Sequence, residues 1–346
     1  MGRRRGSLLS SSKTCAVVAA SVIVFAGLFP LPSQAVEDRS DFYKTLSSIN
    51  KDSKKNLIEN TATVTFSPSI RDKQKRKFQA TVDSSLSFWS KETNLGNVSI
   101  LFWSPSDILW AKQKYAEQTL GWNFDPEKLN SDIAVIDGKL TCVRSANETR
   151  YFKPFSLEPD LNHITRICVD DSKWTAWHWH VIAHEITHVW QFSAVRMNTR
   201  TPLWSWIIEG GAIYYGLSLS GIDQPKAKEN IRHMYSAYFL YDKYGRSLLK
   251  EIKKDSSALV KFLDSTLPPA KYSEKTKNLN TINASYHVGS IVIAKIVEEY
   301  GQAKFVEFYN SLSTSNDYKE NFKTIYGIDF YLFCEQISKD IFNQAK

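Results

Sequence analysis

His184 and His188 stand four residues apart in Val181-Ile-Ala-His-Glu-Ile-Thr-His-Val-Trp190. On a helix that spacing puts both imidazoles on one face, where they can share a metal ion. Glu185 follows the first His directly. From there its carboxylate can reach a water activated by the metal without taking a ligand position itself. Two imidazoles, a neighbouring carboxylate and a bound divalent ion together supply the chemistry of amide hydrolysis.

The surrounding residues fit a helix packed inside a domain. Val181, Ile182, Ala183, Ile186, Thr187, Val189 and Trp190 are uncharged, and neither Pro nor Gly interrupts residues 174–195. A helix of about five turns is therefore expected. The arrangement is the H-E-x-x-H of zinc hydrolases. A catalytic zinc keeps three protein ligands and one open position, so a third ligand must follow. The metzincin pattern needs Gly and His three and six residues after the second His, where this chain has Gln191 and Ala194. No Asp or Glu occurs in residues 186–208, and the next acidic residue is Glu209, inside Trp206-Ile-Ile-Glu-Gly-Gly-Ala-Ile-Tyr-Tyr-Gly216. A lone carboxylate in an apolar, aromatic run is costly to bury unless it is paired or bound to metal. Glu209 is the expected third ligand, and an ion pair with Arg196 is the structural alternative.

With these residues in place the chain resembles the gluzincin peptidases, whose H-E-x-x-H is followed further on by W-x-x-E-G-x-A on a second helix. Trp206, Glu209, Gly210 and Ala212 match that second motif position by position. The resemblance covers residues 165–310. It implies one Zn2+ held by His184, His188 and Glu209, with Glu185 as general base. It also implies a zincin-like fold. The Gly-Ala-Met-Glu-Asn loop that grips a free amino terminus in the aminopeptidase branch is absent. A second branch carries an acidic residue four after its Glu ligand, and that position here is Ile213. The branch is therefore not assigned. Other gluzincins place a Tyr before a Gly-containing apolar helix in the C-terminal half, which makes Tyr286 the expected oxyanion donor, with His287 as its rival. His178 and His180 precede the ligand pair on the same helix. A fourth ligand would close the site, so structural roles are expected for both.

The elements that must position these groups are legible in outline. The expected fold class is α+β, with an α/β N-terminal lobe ending in the active-site helix and a mainly helical C-terminal lobe. Three segments are expected: a signal peptide over 1–35, the α/β lobe over 36–195, and the helical lobe over 196–346. Strands are expected over 61–66, 98–103, 132–136, 138–143 and 164–169, with Asp137-Gly138 as a hairpin turn. A helix is expected over 70–92. Further helices are expected over 205–219, 225–244, 256–265, 286–300, 302–313 and 328–344. The strand at 164–169 is the expected edge on which an extended peptide would pair.

Arg3, Arg4, Arg5 and Lys13, then the apolar stretch Cys15–Phe29 and Ser33-Gln34-Ala35, read as an export signal cut after Ala35. Its removal takes four positive charges and no acidic ones, so the net charge falls from +8 to +4. That modest balance argues against a nucleic-acid partner, and no membrane span is expected once the signal is gone. The expected location is secreted or periplasmic, where Cys142 and Cys168 can pair and Cys334 stays buried. Peptide or protein is the expected substrate. A zinc amidase acting on a cell-envelope polymer, or a silent binding protein, are the competing readings.

Overall fold

Phe78, Val82, Leu86 and Trp89 recur at helical spacing behind a charged first turn, so this segment can fold only by burying one stripe. In the computed structural model they form the buried face of helix α1 (Asp72–Trp89). The structure describes residues 18–22, 62–120, 125–136, 138–142, 144–151, 161–170, 176–195, 204–220, 243–266, 279–315 and 317–344. The described residues form a mixed α+β fold, with every strand placed before residue 170 and only helices after it.

A five-stranded sheet runs in the order β1 (Val18–Val22), β6 (Arg144–Tyr151), β7 (Leu161–Cys168), β3 (Asn97–Trp103), β2 (Thr63–Phe66). The β2–β3 and β3–β7 pairs are parallel, whereas β6 is antiparallel to both β7 and β1. Alternation along β3 divides its side chains between two cores. Val98, Ile100 and Phe102 enter the main core beneath α1, and Leu101 and Trp103 face a smaller cluster on the other side. Helix α2 (Ile108–Gln118), the 3-10 turn Pro126–Asp132 and the hairpin β4 (Ile133–Ile136)–β5 (Lys139–Cys142) accompany that second cluster. Gly138, between the paired Ile136 and Lys139, takes a φ of 73°, the left-handed conformation a two-residue hairpin turn requires. Cys142 and Cys168 form a disulfide with Cα atoms 5.5 Å apart, tying the hairpin to the end of β7, and Cys334 is free and buried.

On the main face lie α3 (Ala176–Ala194) and α4 (Ser205–Leu219), the helices carrying the two motifs. Trp89 fixes α1 onto α3 by stacking on Trp190 at 3.9 Å and donating its indole N–H to Thr187 Oγ1. His163 on β7 bonds Ser193 of α3, and burial holds its pKa down to about 3, so it docks as a neutral ring. Beyond α4 follow α5 (Lys243–Lys254), α6 (Ala258–Ser265), α7 (Leu279–Tyr300), α8 (Gln302–Ser311), α9 (Tyr318–Tyr326) and α10 (Phe330–Gln344). Among the described residues no helix is long and apolar enough to cross a membrane.

Three expectations are revised. The strand before the metal helix is not an edge, because β7 is paired on both sides, by β6 and β3. The strand beyond it, β6, is itself paired on its far side by β1; it reads Arg-Ser-Ala-Asn-Glu-Thr-Arg-Tyr and lacks the apolar alternation that marks a strand. Helices α2, α5 and α9 were not anticipated, the helix expected over 225–244 overlapping α5 only at residues 243 and 244. α2 buries only Ala111 and Tyr115 and leaves Leu109 80% exposed, so no clean stripe shows in its sequence. The helix expected over 225–244 lies almost wholly outside the described residues, as does most of the segment 1–35 expected to be a signal. Its residues Val18–Val22 are described, as the strand flanking β6.

Candidate metal centre

Helix α4 is buried at every one of its 15 positions, and Glu209 is its single charged residue. A helix buried all round must be apolar all round, so the carboxylate needs a dedicated partner. It finds two. Nε2 of His184 and Nε2 of His188 lie 3.1 Å apart. Glu209 Oε2 sits 3.5 Å from the first and 3.3 Å from the second. Three ligand atoms bound tetrahedrally at about 2.0–2.1 Å from one zinc stand about 3.3 Å from one another. The observed triangle has that size. Glu209 Oε2 is buried and makes no directed hydrogen bond, although both imidazole nitrogens surround it. A cation at the centre of the triangle satisfies all three atoms.

Electrostatics point the same way. Burial would raise the Glu209 pKa, but the adjacent imidazoles outweigh it and bring the value down to about 2. Burial alone would lower the pKa of His188, yet the charge of Glu209, helped by Glu185, leaves it raised. The site thus gathers negative charge around two ring nitrogens in a dry interior. That is the environment a divalent cation neutralises.

The backbone reaches this geometry through glycines. A Cβ at Gly210 would fall on the backbone of Gly289, and one at Gly289 would stand 2.5 Å from the Trp206 carbonyl. α4 and α7 therefore cross in near contact, which brings Tyr286 to the site. Its ring lies parallel to that of His184 with centroids 6.4 Å apart. On the other flank a Cβ at Gly216 would stand 2.8 Å from the His180 carbonyl and 3.0 Å from His184 Cβ. Gly216 thus lets α4 close onto α3. Trp206, packed between Tyr318 and Phe330, anchors the start of α4 one turn before Glu209. Gly289→Ala is expected to destabilise the fold by about 1–3 kcal/mol through overpacking and to weaken metal binding by shifting α4. Thermal unfolding and a zinc titration on the same sample check both. An unchanged pair would separate the crossing from the site.

The structure brings together His184, Glu185, His188, Glu209 and Tyr286. Glu185 is fully buried beside the ligands. His287 follows Tyr286 and is partly buried. Among the described residues the metal-capable group comprises His184, His188 and Glu209 alone. His180 stays outside it, buried with its ring 6.5 Å from that of His184 and edge-on to it. Arg196 and the His178 side chain lie outside the described residues. Trp190 and Trp206 are core residues. Sequence reasoning missed Gly216 and Gly289 as determinants of the site. Glycines inside helices were the available signal, since there they cost stability unless another backbone approaches. No protein-family model, no curated protein and no solved structure matches this chain.

Proposed function

We propose that the chain is a secreted zinc-dependent metallopeptidase of gluzincin type, with a zincin-like fold, that cuts within peptide chains. The observation that carries this reading is the triangle of His184, His188 and Glu209 with Glu185 buried against it. Two imidazoles and one carboxylate form a borderline N/O donor set that suits zinc, and three protein ligands leave a coordination position open. Bound there, zinc supplies the Lewis acidity that makes water a nucleophile near neutral pH.

The chain's own residues do the rest. Glu185 takes the proton of the attacking water and returns it to the departing amine. Tyr286, whose ring lies parallel to that of His184, is the group that donates to the developing oxyanion in this reading. The apolar walls of α3 and α4 exclude bulk water, which strengthens both contributions. Cutting within chains is favoured because no amine-gripping loop is present.

Mass spectrometry of a diverse peptide library incubated with the zinc-loaded chain tests this. Internal cleavages lost on chelation are expected. Trimming confined to the amino terminus would replace endopeptidase by aminopeptidase. An intact library alongside hydrolysis of a cell-envelope polymer would make the enzyme an amidase.

A further inference from the structure

Gln191 sits one turn after His188 on α3 and is fully buried. Its two amide ends reach both halves of the candidate site. Oε1 lies 2.7 Å from His188 Nδ1. Nε2 donates to the Ile208 carbonyl at 2.8 Å, one residue before Glu209. These two contacts fix the amide without ambiguity. A carbonyl oxygen only accepts, so the end facing Ile208 must be the NH2, and the end facing His188 must be the oxygen. That oxygen accepts, so His188 Nδ1 carries a hydrogen. The lone pair available for a metal is then on Nε2, the atom that faces His184 and Glu209. The neighbouring helix is shaped around the same amide. A Cβ at Gly211 would stand 3.0 Å from Gln191 Nε2, so the second glycine of Glu-Gly-Gly makes room for this side chain.

Resting on the metal-site reading above, we propose that Gln191 is a positioning residue for the centre. It sets the tautomer and ring orientation of His188, and its other end ties α3, which carries two ligands, to α4, which carries the third. Nothing in the zinc-hydrolase motif requires Gln at this position. Outer partners of ligating histidines raise ligand basicity and hold the ring, and their loss commonly lowers metal affinity by about 10–100-fold.

Three full-length chains test this: the parent, Q191L and Q191E. Leu removes both bonds, whereas Glu keeps an oxygen acceptor for His188 and loses only the donor to Ile208. Zinc affinity is read by competition with a chromogenic chelator, ligand geometry by the visible spectrum of the Co2+-loaded chain, and folding by thermal unfolding of the metal-free chain. The expected result is a 10–100-fold loss of zinc affinity and an altered cobalt spectrum in Q191L. Q191E should recover most of the affinity with a spectrum close to the parent's. Parent-like affinity and spectrum in Q191L would overturn the proposal. Equal losses in both variants that track a fall in metal-free stability would reduce Gln191 to a packing residue and overturn it too. Should Q191L fail to fold, the Q191E spectrum decides, parent-like in favour and shifted against. A parent that binds neither zinc nor cobalt would instead defeat the underlying site, and the parent arm alone reveals that.

Discussion

Under the proposed metallopeptidase function, Glu185→Gln is expected to lower peptide hydrolysis by about 10⁴-fold while leaving one zinc per chain in place. General acid–base groups contribute up to about 10⁴-fold, or about 5 kcal/mol of barrier. Gln keeps the size and most hydrogen-bonding capacity of Glu but cannot accept a proton. The position explains why the two effects separate. Glu185 follows His184 by a single residue, so on α3 it points about 100° away from His184 and about 60° from His188, and it lies outside the metal-capable group. It is nonetheless fully buried and close enough to His188 to raise that residue's pKa. Steady-state cleavage of a peptide found in the library, with elemental analysis of the same preparation, reads both quantities. Undiminished cleavage would remove Glu185 from the chemistry, and lost zinc would make it a ligand.

The second large effect lies on the opposite side of the sheet. Asp132→Ala is expected to destabilise the chain by about 3–5 kcal/mol, because it removes the carboxylate paired with a buried cation. Arg166 on β7 is 1% exposed and Asp132 is fully buried. Arg166 Nε donates to Asp132 Oδ2 at 2.6 Å, and the guanidinium lies 5.8 Å from the centre of the Tyr115 ring on α2. Asp132 ends the 3-10 turn ahead of the β4–β5 hairpin, so this pair clamps the hairpin layer to the sheet. Replacing both partners, Asp132→Ala with Arg166→Met, removes both buried charges and is expected to recover much of the loss. Urea unfolding of the metal-free chains provides the comparison. A single variant as stable as its parent would mean that water reaches Arg166.

What the sequence made legible follows from how local each signal is. The ligand pair lies within one turn of one helix, and periodicity alone sets its geometry. Glu209 was legible because a single carboxylate stands out in an apolar run, and the bounds expected for its helix, 205–219, agree with α4. The hairpin turn at Gly138 and the Cys142–Cys168 pairing were also within reach of local chemistry and spacing. Contacts between elements were harder. The close approach of Gly210 and Gly289 joins residues 79 positions apart, and no periodicity records it. Gln191 looked like a mere departure from another pattern until α4 was placed beside it. The edge assignment failed for a related reason. β6 is polar because it lies near the sheet margin, and margins carry the weakest hydrophobic signal.

Zinc per chain, measured by elemental mass spectrometry on the parent and on Glu209→Gln after metal-replete purification, tests the central claim most directly. The account predicts about one zinc in the parent and clear loss in the variant, because the neutral amide leaves two imidazoles without the charge that completes the site. No zinc in the parent would contradict the metal centre. Equal zinc in both would keep a metal at His184 and His188 but remove Glu209, and with it the gluzincin reading.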